Sequence, residues 1–193
     1  YHKPSFVLTR GEEGVKGSGR SIESYSMYEK LCECKEYLTK FGGHPMAAGL
    51  SLEEENVERF RRKLNEQSGL TEEDLVEKVT IDVPMPIHYI RKDLVQELSL
   101  LEPFGKGNEK PLFAQKNLWV SQMRVFGKNR NVVKMRLTDE NGYPMDGVYF
   151  GNGDEFAEEG RGKRKISIVY YPDINMYQGR ESLQVIIRHY QFD

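Results

Sequence analysis

Two short runs carry residue types that suit an oxyanion. The first is Gly17-Ser18-Gly19-Arg20-Ser21, which sets two hydroxyls around a guanidinium on a backbone loosened by glycine. The second is Gly42-Gly43-His44-Pro45-Met46-Ala47-Ala48-Gly49. Glycine lets backbone amides approach a ligand with no side chain between them. Pro45 suits the first position of a helix, where its missing N–H costs nothing. Met46-Ala47-Ala48 can continue as the first turn. The spacing therefore predicts a helix N-terminus whose free amides face an anion, with the His44 ring beside them. Phosphate fits both runs, and two such runs in one small domain point to a phosphodiester. The plainer readings are a surface arginine in a hairpin for Arg20 and a ring bonded to backbone for His44.

A third feature is charge. The chain carries a formal net charge of −2, yet eight basic residues and one acid, Glu109, lie between Pro103 and Arg136. Acids gather elsewhere, at Glu53 to Glu55 and Glu72 to Asp74. That asymmetry suits one nucleic-acid face and a solvated remainder. The alternative is a scattered basic surface. Metal-ligand spacing is missing: His2, His44, His88 and His189 are dispersed. Cys32 and Cys34 are two apart in a helical stretch, so they point to different faces and suit neither a shared metal nor a disulfide. Lack of a disulfide framework favours a reducing cytoplasm. No apolar run is long enough to span a bilayer, so no membrane association is expected. The start, Tyr1-His2-Lys3-Pro4, has neither Met nor a signal-peptide pattern and reads as a piece of something longer.

The elements that must position these residues follow from period and turn chemistry. Residues 5–9 read as a strand, and 15–22 as its return, carrying the first run. Residues 26–40 read as a helix stopped by Gly42-Gly43. Gly49 to Leu52 reads as a strand, with Ser51 capping a helix whose apolar face is Val57, Phe60 and Leu64. Thr71 to Glu77 gives a helical turn or two, Val79 to Val83 a strand, and 90–101 an amphipathic helix broken by Pro103-Phe104-Gly105. The remainder reads as five strands: Leu112 to Phe126 (bent or bulged), Val132 to Leu137, Met145 to Phe150, Lys165 to Tyr171 and Leu183 to Tyr190. Asn141-Gly142 marks a hairpin, and a short helix falls within 151–160. At 193 residues, 38% hydrophobic and 30% charged, the chain can hold one large or two small folded domains. The class is α+β, with a small mixed unit followed by a five-stranded barrel of OB-fold type; another barrel or sandwich topology stays open.

At this point the motifs resemble those of a known family. Gly-Ser-Gly-Arg-Ser at 17–21, Phe-Gly-Gly-His-Pro-Met-Ala-Ala-Gly at 41–49 and Leu-Glu-Pro-Phe-Gly-Lys-Gly-Asn-Glu-Lys-Pro-Leu-Phe at 101–113 occur in this order in the RecJ family. These are bacterial single-stranded-DNA-specific exonucleases of the DHH phosphoesterase superfamily. The Gly-Gly-His motif is shared by other DHH enzymes, including those that degrade very short RNAs and cyclic dinucleotides. The Pro-Phe-Gly-x-Gly-Asn motif before a five-stranded region is the more specific one.

The resemblance implies a DHH-associated substrate-binding domain over 1–75 and an OB-fold over 76–193, with a linking helix near 88–101. It implies that a DHH domain with two Mn²⁺ or Mg²⁺ ions, absent from this sequence, performs the hydrolysis, so that this chain binds single-stranded DNA without cutting it. Ser18, Gly19, Arg20, Ser21, Gly42 and Gly43 would hold phosphate oxygens, and His44 would support the scissile or neighbouring phosphate. In the OB-fold the expected contacts are Arg124, Lys128, Arg130, Lys134 and Arg136, with stacking platforms sought among Phe126, Tyr143, Tyr149 and Trp119. Trp119 is read as the one best suited to the core. Phe104, Gly105 and Asn108 are expected to shape the entry into the barrel. The implied roles are 5′-to-3′ degradation in recombination and repair, with single-strand DNA-binding protein as a candidate partner. Two alternatives remain: a module that mainly recruits proteins, and part of a DHH oligonucleotide phosphodiesterase.

Overall fold

A computed structural model describes residues 2–12 and 14–193. The chain divides into two compact units, Tyr1–Val79 and Thr80–Asp193.

The first unit is a four-stranded antiparallel sheet backed by two helices. Strands β1 (Ser5–Gly11) and β2 (Gly14–Arg20) form a hairpin. Strands β3 (Lys40–His44) and β4 (Ala47–Leu52) form a second one, and the order is β1-β2-β4-β3. Side chains alternate across the pleat. Phe6, Leu8, Val15, Ala48, Leu50 and Leu52 therefore share one side with Met27 and Leu31 of α1 (Met27–Glu33) and Phe60 of α2 (Val57–Glu66). Gly19 of β2 lies on this packed side. A Cβ at Gly19 would sit 2.4 Å from Met27 Sδ and 2.6 Å from the Phe6 ring. Gly19→Ala is expected to lower the stability of this unit by about 1–3 kcal/mol, read as an earlier denaturant midpoint for its transition.

Three local expectations are corrected here. Residues 42–49 form a hairpin and not a helix start: His44 pairs with Ala47, leaving Pro45 and Met46 as the turn. Proline fits either setting, but the period-two burial of Ala48, Leu50 and Leu52 demands a strand. Gly43 has φ +152°, and a Cβ there would meet the Ala47 carbonyl at 2.4 Å, so glycine is required for the fold itself. The helix expected over 26–40 ends at Glu33, followed by a 3₁₀ turn at Lys35–Tyr37, because Lys40 and Phe41 are needed as strand partners of Ser51 and Leu50. Ser51 lies within β4 and caps nothing; a 3₁₀ turn at Glu54–Asn56 leads into α2. Cys34 is buried and Cys32 half-buried, both free thiols, and burial pushes the Cys34 thiol up.

The second unit opens with a two-residue strand, β5 (Val83–Pro84), shorter than the sequence suggests, and α3 (Lys92–Ser99). Five long strands follow: β6 (Phe113–Phe126), β7 (Val132–Thr138), β8 (Pro144–Phe150), β9 (Lys165–Tyr177) and β10 (Arg180–Phe192). The order is β5-β6-β7-β8-β10-β9, and β9 also pairs with β6, so the ladders of the five long strands return on themselves. Strands β8 and β10 are parallel, and the helix α4 (Gly153–Glu159) connects β8 to β9. The core holds Leu118, Val133, Met135, Leu137, Phe156, Ile166, Tyr170 and Val185. Burial pushes the Tyr170 hydroxyl up, and that hydroxyl donates to the Met85 carbonyl at 2.7 Å.

Two irregularities shape β6. Its register against β9 shifts between Gln115 and Leu118, and against β7 between Ser121 and Arg124, with Asn117 and Gln122 at positive φ. Each shift resets the alternation. Leu118, Val120, Met123 and Val125 thus all face the core, while Trp119, Ser121, Arg124 and Phe126 are exposed. The Asn141-Gly142 signal marks a real hairpin, but its loop is longer than two residues, since Thr138 pairs with Pro144. Asp139 organises that loop: its Oδ1 accepts from the Asn141 and Tyr143 amides, and its Oδ2 lies 2.7 Å from His88 Nδ1. Before β6, Asn108 donates to the Leu101 and Pro103 carbonyls at 2.8 and 3.0 Å, and Gly105 and Asn108 bridge, so this motif shapes the entry to the strand as expected.

Candidate nucleic-acid interface

In the first unit the two runs become neighbouring strands. Residues opposite each other in an antiparallel ladder point to the same side. Arg20, Ala47 and His44 form one row across β2, β4 and β3; Ser18, Gly49 and Gly42 form the next. Lys16, Ser51 and Lys40 form a third. All three rows lie on the side away from the packed core, where Ser18, Arg20, Gly42, His44 and Gly49 are exposed.

The floor of this face is bare. A Cβ at Gly42 would meet nothing within 4 Å, and one at Gly49 only a carbonyl at 3.8 Å. The fold does not need glycine there for space, so the absence of side chains leaves backbone open to a ligand. Arg20 Nη1 donates to the Gly19 carbonyl at 2.9 Å and to Ser18 Oγ at 3.3 Å, which lays the guanidinium along its own strand. Its remaining N–H groups form a fork for an anion.

Not every predicted residue reaches this face. Gly19 and Gly43 pair with Ala48 on the opposite side. Ser21 is half-buried; its hydroxyl donates to the Tyr25 carbonyl and its amide to the Met46 carbonyl at 2.9 Å. It fastens the end of β2 to the β3–β4 turn, and the Met27 amide on the Pro45 carbonyl ties the start of α1 to the same turn. The free amides of a helix N-terminus are replaced by side chains around a bare sheet. Lys16 and Lys40, which sequence reasoning missed, follow from the same alternation once the hairpin is known.

In the second unit the exposed side of β6, β7 and β8 forms a groove of ≈ 270 Å³ lined by Arg124, Phe126, Lys134 and Arg136. Arg124 pairs with Lys134 across the ladder. Arg136 lies there too, with its Nη1 on Asp146 at 2.5 Å. A second hollow shares Lys134, Asn175 and Ser182 and adds Tyr177 and Arg180. Phe126 is 45% exposed and Phe150 60% exposed, on either side of Val132. Phe150, Tyr177 and Arg180 were missed; the inward Met145 and Gly147 already implied that Phe150 points out, whereas the full length of β9 and β10 was not legible.

The basic and aromatic candidates separate. Lys128 is exposed in the β6–β7 loop. Arg130 is held by Asp154 of α4, with Nε and Nη2 contacts of 2.6–2.9 Å, and the carboxylate raises its already high pKa. That pairing draws it toward the helix and out of the groove lining. Tyr149 does not serve as a platform: it stacks on Phe156 at 4.8 Å and meets Tyr190 edge-on, inside the core cluster. Tyr143 lies in the β7–β8 loop. Trp119, expected in the core, is 46% exposed, with Lys165 Nζ 4.6 Å from its ring centre. Among the described residues, no group of three or more His, Cys, Asp or Glu is placed to hold a metal ion, and no helix is long and apolar enough to cross a membrane.

A family model described as the RecJ OB domain matches residues 81–189, and one described as the DHHA1 domain matches residues 1–69. The single-stranded-DNA-specific exonuclease RecJ of Bacillus subtilis is 38% identical over 97% of this chain and 24% of its own length. Its Escherichia coli counterpart is 32% identical over 97% of this chain and 33% of its own length. The chain thus spans a quarter to a third of these relatives. The crystal structure of RecJ in complex with Mn²⁺ from Thermus thermophilus superposes with a TM-score of 0.78 at 24% identity, covering 97% of this chain and 26% of that one. The Mg²⁺ complex gives 0.77, with 28% of that chain covered. This structural likeness shows that the mixed α/β fold is shared.

Proposed function

The chain belongs to the RecJ family, and from that membership we propose that it is the strand-holding part of a RecJ-like 5′-to-3′ single-stranded-DNA exonuclease of recombination and repair. The observation that carries this reading is the open sheet face of the first unit. Ser18, Arg20 and His44 surround a glycine floor that the fold leaves bare without needing to. A phosphate resting there would meet a guanidinium fork, a hydroxyl and an imidazole, with no side chain holding it off. The groove of the second unit supports the same reading. Arg124 and Lys134 follow a backbone electrostatically, and Phe126 and Phe150 offer ring faces on which any base can stack.

Hydrolysis of a phosphodiester needs a strong nucleophile and relief of charge on the phosphate, which two divalent metals supply in such enzymes. The described residues do not form a set that fits those metals. In this reading the chain binds and aligns the strand, and the metal chemistry is that of a DHH domain, as the resemblance to the family implies.

Anisotropy with 5′-phosphorylated single strands of roughly 20 nucleotides tests the reading at low and high salt. Arg20→Ala is expected to weaken binding about ten-fold, and to matter less when the 5′ end is a hydroxyl. Gly42→Leu should fold normally, since its Cβ enters open space, yet lose affinity to a similar degree. Unchanged binding in both variants would sink the assignment of this face. No binding at low salt would point instead to a module that recruits proteins, single-strand DNA-binding protein among them.

A further inference from the structure

The outer side of β6 and β7 continues past the groove in a regular way. Four rows follow from the register. Phe126, Val132 and Phe150 form the first, and Arg124 with Lys134 the second. Ser121, Arg136 and Asp146 form the third, and Trp119 with Thr138 the fourth. The shift between Ser121 and Arg124 keeps all of them on one side despite the extra residue. Rings therefore stand at both ends of the strip, with the unpaired Arg124 and Lys134 and the Arg136–Asp146 pair between them. Two residues of strand advance about 6.4–6.8 Å, so the outer rows lie about 20 Å apart.

Trp119 stands about half exposed on this side. Lys165, its partner across the β6–β9 ladder, sets its ammonium 4.6 Å from the ring centre. That contact steadies the indole in the open. It also places a positive charge beside the ring, where a phosphate flanking a stacked base would pass.

We propose that Trp119, steadied by Lys165, is a second base-stacking platform, so that a single strand held by Arg124 and Lys134 is gripped between Phe126 with Phe150 at one end and Trp119 at the other. The strip accommodates about four nucleotides, the lower end of the range for OB-folds. This rests on the strand-holding reading and extends it to a defined length and a named far contact.

The chain has one tryptophan, so its emission reports this contact alone. Oligothymidylates of two to eight nucleotides with a labelled end are titrated against the 193-residue chain, following anisotropy and tryptophan emission together. Quenching that sets in at about four nucleotides, while shorter strands bind without it, is the expected result. Trp119→Ala should weaken binding of the longer strands about ten-fold and leave the shortest unaffected. Trp119→Phe should keep most of the affinity, and Lys165→Gln should lower the salt dependence. Anisotropy rising at every length with unchanged emission and an indifferent Trp119→Ala overturns the platform while leaving the strand-holding reading intact. No anisotropy change at any length overturns both.

Discussion

Arg124→Ala combined with Lys134→Ala is expected to reduce affinity for single-stranded DNA by about ten- to a hundred-fold at low salt. The two side chains face each other across the β6–β7 ladder and line one groove. Among the described residues neither has an acidic partner within ion-pair distance, unlike Arg130 on Asp154 and Arg136 on Asp146. A cation already neutralised by a carboxylate must break that pair before it gains a phosphate. An unpaired one displaces only water and counterions. Each lost phosphate contact removes about 0.7 from the slope of log K against log salt for a single strand, so the double variant should flatten it by about 1.4. Arg130→Ala, by the same argument, should leave the slope nearly unchanged. A double variant with the parental slope would show that the strand runs elsewhere.

The largest stability effect is expected at Asp139. Its side chain is 0% exposed, and it accepts from two loop amides and lies against His88. Burial alone would raise its pKa, but the hydrogen bonds from Tyr143, His88 and Asn141 outweigh it and hold the carboxyl below the usual range. Asp139→Ala strands those donors and should cost about 3 kcal/mol, with a fall in Tm on the order of 10–20 °C for the second unit. The sign with pH follows from the lowered folded value. The stability Asp139 adds is complete above the unfolded carboxylate pKa of about 4 and fades as pH falls through the folded one. The gap between parent and variant should therefore narrow below about pH 4. A gap that persists undiminished into acid would mean that packing, not the carboxylate, accounts for the loss.

The amino-acid sequence determined much of this by itself. The residue types that suit an anion at 17–21 and 42–49, the basic run from 103 to 136 and the presence of the five long strands of the second unit were legible, because motif chemistry and period are local properties. The strands β7 and β8 carry strong alternation, and turn residues mark their ends. What the sequence could not settle was pairing. Pro45 serves a helix start and a tight hairpin equally well, and only the partnership of β3 with β4, and of β4 with β2, selects the hairpin. That choice put Ser18, Arg20, Gly42 and His44 on one face, turned Gly19 and Gly43 to the other, and brought Lys16 and Lys40 alongside. The bulges in β6 did the same for Trp119. An extra residue in a strand flips every side chain beyond it, and no local signal in the Trp119 neighbourhood distinguishes inward from outward. Arg130 and Asp154 lie 24 residues apart and are indistinguishable in sequence from any exposed cation and acid. Which charges are free for a ligand is a property of who stands opposite whom, and that is fixed only when distant strands and helices close on one another.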